Sequence, residues 1–289
     1  MEIDRLLSKL MQKSNPALSH EEVKKGFKVE FSKGKEGSPL IVALPNWHAK
    51  IPPILIYLHS RQNGYSHLAY TVPPEMLSDE PTTTVKNLEW VTEKVLDSVD
   101  HYSRSHDSSS VHFIGLSIGG VIAIKAANQY ASTSSLSMVP SGDCLADALW
   151  NGLLTQNKRQ GYEKQGVTLD SLKTEWKGLD PVNNFDNLIN TPVFLYLDES
   201  DLTVPYKNGC NLVKAMETNG LLPIVTETAH LGHFGLMLKF CLWDNPTKGH
   251  IEGYSAELGL KISSSNHLAP LIPKAYTPNS QSPLGIYQK

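Results

Sequence analysis

The stretch that decides the fold is Val111-His112-Phe113-Ile114-Gly115-Leu116-Ser117-Ile118-Gly119-Gly120. Its first five residues, apolar but for His112, are of strand length and read as a strand. From Gly120 to Tyr130 the residues are small and helix-compatible. Between them Gly115-Leu116-Ser117-Ile118-Gly119 spells G-x-S-x-G. A serine on so short a strand-to-helix turn is forced into a strained backbone with its hydroxyl exposed. Glycines on either side, lacking a Cβ, let strand and helix crowd together. The N–H of Ile118 then falls at a helix N-terminus, where developing negative charge is stabilised.

Working outward, the same alternation repeats. Phe27–Phe31 reads as a short strand, residues 39–44 as a buried one, Ile51–Arg61 as a helix with Pro52 and Pro53 near its start, and Ser66–Val72 as a further strand. Thr84–Tyr102 carries Leu88, Val91, Val95 and Val99 on one helical face. Strands follow at residues 136–139, 192–197 and 223–227, with a helix at Asn208–Asn219. This pattern predicts an α/β protein with a mostly parallel, doubly wound sheet flanked by helices. Residues 144–185 break the rhythm and read as a short helical lid inserted in the sheet. Residues 1–26 read as an N-terminal helical arm, 27–262 as the main domain, and 263–289 as a Pro- and Ser-rich tail.

The strand, the turn serine and the helix together resemble the nucleophile elbow of the α/β-hydrolase superfamily, over roughly residues 27–245. The resemblance implies a covalent nucleophile at Ser117, followed along the chain by an acid and then a histidine. In the loop Asp198-Glu199-Ser200-Asp201-Leu202-Thr203-Val204-Pro205, Asp201 takes the acid position ahead of the apolar-Val-Pro. Asp198, nearer the strand end, is the second choice, and Asp143 the third. In Ala229-His230-Leu231-Gly232-His233-Phe234, the Gly-His-aromatic form selects His233 as base and leaves His230 to the loop or pocket.

The oxyanion donors implied are the N–H groups of Ile118 and Trp47. In many relatives the second donor follows a His-Gly pair; here Pro45-Asn46 stands in its place. Leu58-His59-Ser60 offers a histidine after an apolar run, but would leave no helix before residue 66. His48, Leu116, Trp150 and Leu202 are expected to wall a modest apolar pocket. The activity implied is hydrolysis of a small-molecule carboxylic ester. An acyltransferase or thioesterase with the same three residues, and a non-catalytic ligand-binding relative, are the alternatives.

Composition agrees with an ordinary enzyme. Of 289 residues 40% are hydrophobic and 19% charged, with a formal net charge of −3. No long basic run suggests nucleic acid or an anionic membrane as partner. Cys144, Cys210 and Cys241 are widely spaced without a C-x-x-C, which argues against a disulfide framework or a zinc site and fits a reducing compartment. Charged Glu2, Asp4, Arg5 and Lys9 interrupt the apolar start, and no run of about 18 apolar residues occurs, so neither a secretory leader nor a membrane span is expected. The sequence predicts a cytoplasmic protein without metal or cofactor and leaves its oligomeric state open.

Overall fold

In a computed structural model, the structure describes residues 19–45 and 51–244. The first 18 residues of the expected arm and the expected 263–289 tail lie outside them. Helix α1 (His20–Gly26) is opened by a capping box, Ser19 and Glu22 each bonding the other's backbone, and its Val23 is fully buried.

The strands are β1 (Lys28–Ser32), β2 (Leu40–Leu44), β3 (Ser66–Thr71), β4 (Val111–Leu116), β5 (Thr133–Val139), β6 (Val193–Asp198) and β7 (Ile224–Thr228). Among the described residues they form one sheet in the order β1-β3-β2-β4-β5-β6-β7. Only the β1–β3 pairing is antiparallel. The crossover helices are α2 (Ile51–Gln62), α3 (Pro81–Ser105), α4 (Ile118–Gln129) and α8 (Tyr206–Thr218), with α9 (Gly232–Lys239) following β7.

Strand periodicity splits the core in two. Leu40, Val42, Leu44 and Phe113 face α3 and α4, whereas Ile41, Ala43, Ile114 and Leu116 face α2 and α9. Both faces are covered, which is why β2 and β4 contain no exposed residue. Two boundaries differ from the sequence reading for local reasons. Helix α3 begins three residues earlier, with Pro81 in its first turn, where a missing N–H is harmless. β5 begins at polar Thr133 and not at Leu136, because residues 133–135 already pair with Val111 and His112.

Between β5 and β6 the chain folds into an insertion of short helices: α5 (Leu145–Asn151), α6 (Gln156–Lys164) and α7 (Leu169–Trp176), then three 3-10 turns ending at Leu188. It is pinned to the start of α3. Trp176 Nε1 donates to the Pro81 carbonyl at 3.1 Å, Tyr162 Oη donates to the Ser78 carbonyl, and Lys158 pairs with Asp79 at 2.6 Å. Tyr162 and Trp176 are fully buried and pack edge to face at 6.1 Å.

The two ends of the helical part are tied by Asp180, whose carboxylate accepts the Leu145 N–H at 2.8 Å. Burial pushes the Asp180 carboxyl up to about 6, against the hydrogen bond from Leu145. An unfolded aspartate titrates near 3.9, so between about 4 and 6 the folded chain holds a proton that the unfolded chain releases. Stability from this group therefore falls as pH rises through that window. Asp180→Asn, which keeps a carbonyl acceptor for Leu145, is expected to raise the melting temperature at pH 8 by about 2 °C or more and to change it little at pH 4.5; scanning calorimetry at the two pH values checks this.

Candidate active site

At the carboxyl ends of β2, β4, β5 and β6 the chain brings together three residues from distant loops. Ser117 caps α4 with φ 54° and ψ −121°. A positive φ at a non-glycine costs on the order of 1–3 kcal/mol and persists only where the surroundings enforce it. Two hydrogen bonds do so here: Ser117 N–H donates to the Val139 carbonyl and Gly120 N–H to the Ser117 carbonyl, both at 2.8 Å.

The flanking glycines are required by contact. A Cβ on Gly115 would stand 2.5 Å from Gly120 Cα and 2.6 Å from the Gly119 carbonyl oxygen. A Cβ on Gly119 would stand 2.6 Å from the carbonyl oxygens of both Leu44 and Pro45. Gly119 is thus where the end of β2 rests on the turn. Ile118, the first residue of α4, has an N–H with no intrahelical acceptor.

His233, the second residue of α9, joins the other two. Its Nδ1 lies 2.9 Å from Asp201 Oδ2 and its Nε2 lies 3.0 Å from Ser117 Oγ. A neutral ring with its proton on Nδ1 satisfies both contacts, donating to the carboxylate and accepting from the hydroxyl. The other Asp201 oxygen, Oδ1, accepts the N–H groups of Thr203 at 2.7 Å and Val204 at 2.9 Å, which fixes the carboxylate's rotation. Asp201 and His233 are buried while Ser117 is half-buried, the most exposed of the three.

The remaining acids lie elsewhere. Asp143 is held by Asn211 at 3.2 Å, and Asp198 binds backbone N–H groups of its own loop and of the turn before His233. His230 is exposed, at φ 76°. His59 Nε2 bonds the Cys241 carbonyl at 2.7 Å, in the layer on the α2 side of the sheet.

Ser117 and His233 form part of the wall of a cavity of about 60 Å³. The rest is mainly apolar, with Leu77, Val121, Leu145, Leu149, Leu154 and Phe234 contributing. This corrects the pocket read from the sequence. Leu116 faces the opposite way on β4 and is fully buried against α2 and α9. On α5 the cavity face is Leu145, Ala148 and Leu149; Trp150 lies round the helix, half-buried, with the Arg159 guanidinium 5.3 Å from its ring centre. Leu202 does not line the cavity, its carbonyl accepting from Leu153, while Thr203 and Val204 do. Trp47 and His48 lie outside the described residues. The lining residues from Leu77 and α5 escaped the sequence reading because nothing local marks a leucine as facing a void.

Cys144 also lines the cavity, but burial pushes its thiol up to about 12, so it stays protonated at neutral pH and does not rival Ser117. Among the described residues no group of three or more His, Cys, Asp or Glu side chains could hold a metal ion, and no helix is long and apolar enough to cross a membrane.

No protein-family model matches the chain, and no curated protein does. Solved structures do. An acylaminoacyl peptidase of Pyrococcus horikoshii superimposes with a TM-score of 0.57 at 12% identity over 82% of this chain. The chain spans only 39% of that peptidase's length. An acetyl ester-xyloside bifunctional hydrolase of Caldicellulosiruptor lactoaceticus gives 0.53 at 15% identity, covering 81% of this chain and 88% of the other. The chain has the α/β-hydrolase fold. A carboxylesterase of Lactobacillus plantarum, at TM-score 0.50 and 13% identity, covers 72% of this chain and 79% of its own. Within the α/β-hydrolase fold, Ser117 occupies the strand-to-helix turn after the central strand β4, and Asp201 and His233 follow β6 and β7.

Because the contacts at Gly115 and Gly119 are with backbone, no rotamer change can relieve them. Gly115→Ala and Gly119→Ala are each expected to lower the melting temperature and to remove fluorophosphonate labelling of Ser117. A control, Gly178→Ala, meets nothing within 4 Å and is expected to leave both unchanged.

Proposed function

We propose that this chain is a serine hydrolase that cleaves a small carboxylic ester through an acyl-enzyme on Ser117. The observation that carries the reading is one buried imidazole in contact with both a carboxylate, at 2.9 Å, and a hydroxyl on a strained turn, at 3.0 Å. A hydroxyl is a poor nucleophile at neutral pH unless a base takes its proton as it attacks.

Ser117 Oγ attacks the ester carbonyl while its proton passes to His233 Nε2. Asp201 holds the ring in the Nδ1–H form and stabilises the imidazolium. The carbonyl oxygen takes the negative charge and is met by the Ile118 N–H at the start of α4; the second donor expected from the sequence, Trp47, lies outside the described residues. Collapse expels the alcohol, which receives the proton from His233. A water, deprotonated by the same nitrogen, then attacks the acyl-enzyme, and collapse releases the acid as His233 returns the proton to Ser117 Oγ.

The cavity limits the acyl group. One water needs roughly 10–15 Å³, so about 60 Å³ holds about four to six non-hydrogen atoms. Apolar walls suit a short aliphatic acyl chain.

A panel of p-nitrophenyl esters tests both parts. Turnover is expected to peak between acetyl and butyryl and to fall at least tenfold by octanoyl; a peak at decanoyl or beyond would sink the short-chain reading. Leu149→Ala is expected to shift the peak to longer chains. Ser117→Ala is expected to lose on the order of 10³-fold or more in kcat and all fluorophosphonate labelling, and Asp201→Asn about 10³–10⁴-fold with its fold intact. Equal labelling of wild type and Ser117→Ala would refute the assignment. Added alcohol, amine or thiol that outcompetes water for the acyl-enzyme would mark an acyltransferase in place of a hydrolase.

A further inference from the structure

Asp198 ends β6 and is almost fully buried. Its carboxylate makes no contact with Ser117 or His233, yet five donor bonds converge on it. Oδ1 accepts from Ser200 N–H at 2.9 Å, Ser200 Oγ at 2.6 Å and Gly232 N–H at 3.0 Å. Oδ2 accepts from Thr228 Oγ1 at 2.8 Å and Leu231 N–H at 3.1 Å. One anion thereby spans three pieces of chain: the loop that carries Asp201, the end of β7, and the two residues directly before His233.

Those two residues belong to a turn that does not hold itself. His230 has φ 76° and Gly232 φ 67°. The first of these is a conformation that a side-chain-bearing residue adopts only under constraint. Among the described residues, the constraint visible is the pair of N–H bonds to Asp198, reinforced by Gly232 N–H to Ser200 Oγ at 3.1 Å. The acid loop is fastened to the same anion, and Glu199 N–H adds a bond to the Thr228 carbonyl at 2.9 Å.

We propose that Asp198 is a positioning residue: by binding the Ser200 loop and the Leu231–Gly232 turn through one carboxylate, it fixes the separation of Asp201 and His233 and aims the imidazole at Ser117. The inference rests on the reading of Ser117, Asp201 and His233 as the catalytic set. Burial alone would push the Asp198 carboxyl up; the bonds from Ser200, Thr228, Gly232 and Leu231 outweigh it and hold the group below its ordinary value, so it is an anion at neutral pH. An amide cannot replace it. Asparagine has a single acceptor oxygen and would turn an N–H₂ toward at least one of the donors, leaving a backbone N–H unpaired.

The test is Asp198→Asn in the full chain, with Ser117→Ala alongside. Asp198→Asn is expected to lose about 10²-fold in kcat, the scale set by an ångström of misplacement, with KM for a p-nitrophenyl ester within threefold. The low-field proton NMR signal of the His233 Nδ1–H, present in wild type and in Ser117→Ala, is expected to shift or vanish. A merely structural role would lower the melting temperature without touching either readout in the remaining folded protein. Wild-type kcat, or an unshifted imidazole signal in folded Asp198→Asn, overturns the proposal. If Asp198→Asn does not fold, Ser200→Ala decides. It removes one bond to Asp198 and one acceptor of Gly232; a three- to tenfold fall in kcat at constant KM supports the proposal, and wild-type kcat overturns it. Wild-type turnover in Ser117→Ala would instead overturn the underlying reading of the site.

Discussion

Everything at the site hangs on the close approach of β4 to α4. The chain passes from strand to helix through a single residue, Ser117, and that is possible only because Gly115 presents no Cβ to Gly120 and Ala123. The turn in turn dictates the rest. A helix starting at Ile118 leaves the N–H of that residue without an intrahelical acceptor beside the serine, and Gly119 leaves room for the end of β2 to lie against the helix start. The strain stored at Ser117 is held by a bond to the neighbouring strand, Ser117 N–H to Val139 O, so the position of the serine is a property of the sheet and not of the turn alone.

Four aspartates show how much environment separates residues of one type. Asp201 receives two backbone N–H groups on one oxygen and an imidazole on the other, which fixes its rotation against His233. Asp198 receives five donors and no ring, which makes it a fastener. Asp180, buried with fewer donors, is driven toward neutrality, and Asp143 is pushed the same way by burial while Asn211 pulls against it. The number and placement of donors decides what each does.

That distinction also marks the limit of what the sequence discloses. Much of the fold was legible because buried parallel strands are written as short apolar runs, such as residues 40–44, and the long crossover helix α3 carries a clear apolar stripe. The choice of Asp201 over Asp198 and of His233 over His230 was legible from motif context, and the structure brings the chosen pair together. What Asp198 touches was not legible, because its donors come from residues 200, 228, 231 and 232, a set assembled only when β6 and β7 lie side by side. The cavity was misread for a related reason. Aromatic Trp150 looked like a pocket wall, yet one residue's rotation on α5 gives the cavity to Leu149 and turns Trp150 toward Arg159.

The insertion between β5 and β6 has consequences for access. A flap that opens freely would share little buried surface with the body of the domain. Here Trp176 and Tyr162 are fully buried, each with its polar atom bonded to the backbone at or just before the start of α3, and Asp180 closes the helical segment on itself. Moving the whole insertion would expose both aromatic rings and break those bonds, a loss of several kcal/mol on hydrophobic burial alone. The part of the insertion that meets the cavity directly is α5 with the short 3-10 turn after it, through Leu149 and Leu154, and its far face, at Trp150, is half-buried. The apolar wall above Ser117 is therefore set by a few leucines on one short helix and the turn after it, while Ser117, Asp201 and His233 stay fixed at the ends of the strands beneath them.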